Sequence, residues 1–163
     1  MVEFAKETLL EMTLSHLKTK IKMNQELRKV FELGLKPGDT IVTPKSEFNL
    51  VQHHALYIGS DDYGSHYITE NIIGKGVSLT RLSSFFANRP KVTRINRLKA
   101  TAYQRRRVVE MALSKVGKPY DLINYNCEHF VTEVTTNRPI SKQVSATIGV
   151  VGLGLLFGFL IKN

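Results

Sequence analysis

From Val144 to Ile161 no residue carries a charge, and from Ile148 onward the run is strongly apolar. Such a stretch cannot stand as ordinary wetted surface, so it must enter a bilayer or a protein core. About 17 to 20 apolar residues suffice to span a bilayer as a helix. Gly149, Gly152, Gly154 and Gly158 are costly in a soluble helix but common in membrane helices, and Gly154 with Gly158 forms a small-xxx-small pair. Lys142 and Lys162 flank the run at positions that suit two interfaces. The expectation is a C-terminal hydrophobic membrane-anchor helix over residues 144–163, with a buried core helix as the competing reading. Because only Lys162 and Asn163 follow it, the run reads as a single-pass tail anchor that leaves the rest of the chain at the cytoplasmic face of a membrane.

What precedes it is enough chain for one domain. A hydrophobic content of 42% and a charged content of 23% exclude wholesale disorder. Cys127 is the only cysteine, so no internal disulfide can form. The formal charge is +9, and its distribution is uneven. Between Arg89 and Lys118 ten basic residues face Glu110 alone, which accounts for the whole excess. Beside a hydrophobic anchor, such a segment points to an anionic membrane surface. Nucleic acid is disfavoured as a partner: Tyr103 is the main interleaved aromatic, and no nucleic-acid motif occurs.

Residues 3 to about 33 hold no proline or glycine and carry apolar residues at helical spacing, from Leu10, Leu14 and Leu17 to Val30 and Phe31. They form an N-terminal amphipathic helical extension, residues 1–34, packed on the domain or laid on a membrane or partner. A turn at Lys36-Pro37-Gly38-Asp39 opens a β-rich domain, residues 35–143. Strands are expected at Thr40–Thr43, His53–Gly59 and His66–Asn71, with weaker ones at Val77–Leu79 and Val92–Ile95. Helical period returns from Val108 to Val116, and a last helix begins behind Asn126 as N-cap. The class is α+β, a small antiparallel sheet flanked by helices.

The chemistry centres on Cys127. A lone cysteine is often an inert core filler. Placement in the first turn of a helix favours the thiolate, through the helix dipole and unsatisfied N–H groups. A nucleophilic thiolate also needs an imidazole to manage its proton. His129 points about 200° away on the same helix, and His16 lies in the N-terminal helix. That leaves His53, His54 and His66 on neighbouring strands. Alternation alone groups either His53 or His54 with His66, depending on hairpin register. No histidine spacing supports a metal, and no phosphate-loop, serine-elbow or dinucleotide motif occurs, so neither a metal nor a cofactor is expected.

The segment Asn126-Cys127-Glu128-His129-Phe130-Val131 resembles the cysteine signature of the lecithin:retinol acyltransferase-like family, including its phospholipase A/acyltransferase branch. Pro37-Gly38-Asp39 and His53-His54-Ala55-Leu56-Tyr57-Ile58-Gly59 resemble its other two conserved segments, and the likeness covers roughly residues 35 to 140. The resemblance implies a permuted papain-like fold and no cofactor. It implies Cys127 as the nucleophile that carries an acyl thioester, His53 as general base and acid, and His66 as the residue that orients His53. The spacing from His53 to His66 is one residue longer than is usual in the family. The short stretch between Asn71 and Ala100 favours the phospholipase branch, acting on glycerophospholipid substrates. Tyr120–Tyr125 and Pro139-Ile140-Ser141 resemble the retinol-esterifying branch instead. A papain-like hydrolase of amide bonds and a non-catalytic membrane-binding scaffold are the rival classes. Oligomeric state, organelle and acyl acceptor are not fixed by these residues.

Overall fold

The structure, a computed structural model, describes residues 2–45 and 51–147, with side chains except those of 2–5 and 19–24. The expected membrane-anchor helix lies, from residue 148 on, outside the described residues. Among the described residues no helix is long and apolar enough to cross a membrane.

Helix α1 (Val2–Leu33) precedes β1 (Thr40–Pro44), β2 (Gln52–Ser60), β3 (His66–Ile72) and β4 (Gly76–Arg81). Then come α2 (Leu82–Asn88), β5 (Arg94–Asn96), α3 (Ala102–Ser114) and α4 (Cys127–Thr136). The five strands form one sheet in the order β4-β3-β2-β1-β5, antiparallel throughout. The α+β class and the expected strands are therefore present. Helix α2 was not anticipated, because a seven-residue segment is too short for periodicity to declare it.

Strand alternation sends side chains to two separate cores. Ile41, Ala55, Tyr57 and Ile68 pack on one face against Leu82 and Phe85 of α2, with Val30 and Leu33 of α1 at the margin. Leu56 and Val77 pack on the other face against Ala112 of α3 and Phe130, Val131 and Val134 of α4. The last turns of α1 join the domain. Glu26 is buried there, accepting the backbone N–H groups of His66 and Ser83 at 2.9 and 3.0 Å. Leu9, Leu10, Met12, Leu14 and Leu17 stay exposed.

The turn before β1 is organised by Asp39, which is wholly buried. Its two carboxylate oxygens accept the N–H groups of Lys36 (3.1 Å) and Leu98 (3.0 Å) and the guanidinium groups of Arg97 and Arg105, both at 3.0 Å. Gly38 beside it has φ +90°, and a Cβ there would sit 2.7 Å from Leu98 Cδ2, so the Leu98 loop closes only over glycine. Arg97 and Arg105 belong to the basic segment, and three more of its members are also spent inside the domain. Arg89 pairs with Glu70, and Lys115 and Lys118 with Glu133. Half of the segment's ten cations thus serve the fold rather than a free basic face.

Burial opposes ionisation of Asp39, yet its four donors outweigh that cost and hold its pKa below the usual carboxylate value. Its stabilisation is therefore complete above about pH 4 and is lost as the pH falls through the lowered native value. Asp39→Asn is expected to cost about 2–3 kcal/mol in urea unfolding at neutral pH. The gap to the parent protein should narrow in acid.

Candidate active site

Asn126 stops the incoming loop and caps α4. Its Oδ1 accepts the N–H groups of Glu128 and His129 at 3.0 and 3.1 Å, while His129 Nδ1 accepts the Asn126 N–H at 3.3 Å. His129 is thereby a capping residue. The cap takes the N–H groups of Glu128 and His129 and not that of Cys127, the first residue of the helix.

The cap places the buried Cys127 thiol beside the start of β2, 3.8 Å from the Gln52 carbonyl oxygen. His53, one residue on, is the thiol's main electrostatic partner, its ring and charge acting on the sulfur. The other side of the ring is held by a carboxylate, with His53 Nε2 2.7 Å from Glu70 Oε2 and both side chains nearly inaccessible to solvent. With Nε2 committed to Glu70, Nδ1 is the nitrogen left for the thiol. Glu70 also receives Arg89 at 3.3 Å, whose guanidinium lies over the Phe85 ring.

His66 is not in this group. It sits opposite Ser60 at the far end of the β2–β3 hairpin, where its Nδ1 meets Tyr57 Oη at 2.6 Å. Seven residues of strand, about 23 Å, separate Ser60 from His53. The expectation that His66 orients His53 is corrected on that ground, since Glu70 occupies the place assigned to it. Alternation left His53 and His54 equally eligible as partners of His66, and the resemblance that chose His53 carried no information about displacement along the strand. The Asp61–Ser65 turn pairs Ser60 with His66, and a bulge between Tyr57 and Gly59 then shifts the register so that Glu70 pairs with Ala55, two residues from His53 and on the same face. Loop length alone would pair Glu70 with Leu56 on the other face, so no turn signal pointed to it.

Electrostatics favour a charged pair. Burial pushes the Cys127 thiol up, but the His53 hydrogen bond and charge, the His54 backbone N–H and the nearby Lys45 bring its pKa below the ordinary thiol value. Burial also works against a protonated His53, yet contacts with Cys127 and Glu70 raise its pKa above the usual imidazole value. Glu70 is likewise opposed by burial and held ionised by His53 and Arg89. The set thus leans towards thiolate, imidazolium and carboxylate in line.

The thiol opens on a cavity of about 740 Å³, with Val51, Tyr120, Leu122, Ile123 and Val144 in its apolar wall and Lys45, Arg94 and Lys142 on its polar side. Leu122 and Ile123 are more than 60% exposed and form an apolar lip. Residues 34–140 match the family described as Lecithin retinol acyltransferase. The chain belongs to that family. It is 31% identical over 135 residues to mouse (Mus musculus) phospholipase A and acyltransferase 1, covering 72% of this chain and 77% of that protein. It is 29% identical over 144 residues to human (Homo sapiens) phospholipase A and acyltransferase 4, covering 77% and 85%. The family match encloses His53, Glu70 and Cys127.

Glu70→Gln removes the anion that favours the imidazolium, so His53 should titrate at lower pH and the thiolate share should fall. Iodoacetamide alkylation of Cys127 is expected to slow by about threefold to tenfold near pH 6 and to rejoin the parent rate in alkali, where the thiol ionises unaided.

Proposed function

We propose that the protein is a thiol-dependent phospholipase A and acyltransferase acting on glycerophospholipids. The observation that carries this reading is the line Cys127–His53–Glu70, with Cys127 in the wall of an apolar cleft. The names of the two relatives supply the substrate class. The order of parts, base on a strand and nucleophile on a later helix, is the order of a permuted papain-like enzyme.

In this reading the Cys127 thiolate attacks the ester carbonyl carbon of a bound glycerophospholipid. The carbonyl π bond opens to a tetrahedral oxyanion, for which the uncapped Cys127 N–H is the available helix-terminal donor. As the oxyanion collapses, the carbon–oxygen ester bond breaks and the His53 imidazolium protonates the departing lysolipid alkoxide. The acyl chain remains on Cys127 as a thioester. His53, now neutral, then takes a proton from water, an amine or a hydroxyl that attacks the thioester, which releases the acyl group and regenerates the thiolate. Glu70 fixes the ring tautomer and offsets the positive charge of the imidazolium throughout. No step calls for a metal or cofactor.

Membrane attachment belongs to the same proposal. The apolar lip at Leu122 and Ile123 and the uncharged run that begins at Val144 support a position at the cytoplasmic face of a bilayer, with the cleft opening towards its lipid. The unpaired members of the basic segment suit an anionic surface.

Intact mass after brief exposure to a short-chain phosphatidylcholine tests the chemistry. The parent protein should gain one acyl chain and Cys127→Ala none, with lysolipid appearing only for the parent. If neither protein gains mass and no lysolipid or fatty acid forms, the phospholipid reading fails and amide hydrolysis becomes the reading to pursue.

A further inference from the structure

A second cavity, of about 470 Å³, opens between β1, β5 and α4. His54, Arg94, Glu128 and Lys142 line both it and the apolar cleft, so the two spaces share a wall next to Cys127. The apolar cleft has three cations in its lining, Lys45 beside the two shared ones, and the second cavity has four. The second cavity adds Arg97 and Lys99 to the two shared cations, and Glu128 is its only acid. That carboxylate is already engaged, accepting Ser141 Oγ at 2.8 Å and the backbone N–H of Gln143 at 3.0 Å. Arg97 is spent on Asp39, which leaves Arg94, Lys99 and Lys142 as an excess of positive charge. Arg94 is held in place by Gln52 Oε1 at 2.7 Å and Asn96 Oδ1 at 3.2 Å, contacts that use only two of its five N–H donors.

The wall also holds a polar atom without a partner. His54 is 95% buried, and its Nε2, shut off from solvent, meets no hydrogen-bonding group, so an anion in the cavity reaches it only by turning the ring. Burial drives the ring's pKa down to about 4 against the pull of Glu128, so the imidazole is neutral at physiological pH and can donate a hydrogen bond. Four cations against the single carboxylate of Glu128 leave the lining net positive, the charge an oxyanion requires.

We propose that this second cavity is a phosphate site, in which Arg94, Lys99, Lys142 and His54 hold the headgroup phosphate of the lipid whose ester faces Cys127. The inference rests on the phospholipid reading of the cleft and deepens it. The apolar cleft takes the acyl chain, the polar cavity takes the phosphate, and the shared wall sets the distance between them. A neutral glyceride or a retinyl ester would leave the second cavity empty and gain nothing from it.

The test reads binding, not turnover, on full-length Cys127→Ala protein in neutral detergent micelles, labelled with ¹⁵N-histidine. Inorganic phosphate, a short-chain phosphatidylcholine and the matching diacylglycerol are titrated separately while the His54 ring resonances are followed. Phosphate and the phospholipid should both shift them, and the diacylglycerol should not. Lys99→Ala and Lys142→Ala, both at exposed positions, should each weaken the two responses by about fivefold to tenfold, the scale of one charge-assisted contact. A response to inorganic phosphate alone would mean a free-anion site and overturn the headgroup assignment. No response to either phosphate compound, or an equal response to diacylglycerol that ignores both lysines, would overturn the site itself. Failure of Cys127 acylation with the phosphate response intact would instead sink the catalytic reading and leave the anion site standing.

Discussion

A single buried carboxylate ties the edge of the sheet to the helices that position Cys127. Asp39 joins the turn before β1, the loop after β5 and the first turns of α3 through two arginines and two backbone N–H groups. Helix α3 packs on α4 through Ala112 and its neighbours, and α4 begins with Cys127. The thiol's position relative to β2 therefore depends on a charge cluster at the opposite end of β1. A buried charge is tolerable only when fully answered, and Arg97 and Arg105 answer this one with positive charge that composition alone would assign to the surface.

The site obeys the same rule. Glu70 is buried, so it requires a cation, and two are offered to it in Arg89 and a protonatable His53. Arg89 makes the carboxylate affordable without His53, which leaves the His53 proton free to move during a reaction. A histidine in Glu70's place would orient the ring equally well. It would not supply the fixed negative charge that biases the resting state towards thiolate and imidazolium.

Much of this was legible in sequence, and the failures have physical causes. The strand and helix positions followed from period-two and period-3.6 patterns, and Asn126 declared itself as a cap because its side chain competes for helix N–H groups. Cys127 and His53 stood out by residue type and context. The role of His66 rested on the resemblance alone, since alternation left the histidines tied; the structure puts Glu70 beside His53 instead, through a bulge between Tyr57 and Gly59 that no side-chain pattern announces. The basic segment misled in a similar way. Net charge is additive along a sequence, but the pairing of Arg97, Arg105 and Lys115 with acids 18 to 66 residues away is a property of the fold.

Gln143 closes the described chain onto the site. Its side chain both accepts the Gln52 N–H and donates to the Gln52 carbonyl, at 2.9 and 3.3 Å, while its own N–H reaches Glu128. The residue that leads into the uncharged run is thus stitched to the first residue of β2, directly before His53, and Ala146 and Thr147 already form part of the cleft wall. The start of the uncharged run and the mouth of the cleft share one stretch of backbone. In the proposed membrane attachment, a bilayer that took up the residues beyond would bring its surface to the rim of the cleft, so a lipid would enter by sideways slippage instead of crossing water, and a pull on that run would be felt first at the strand that carries His53.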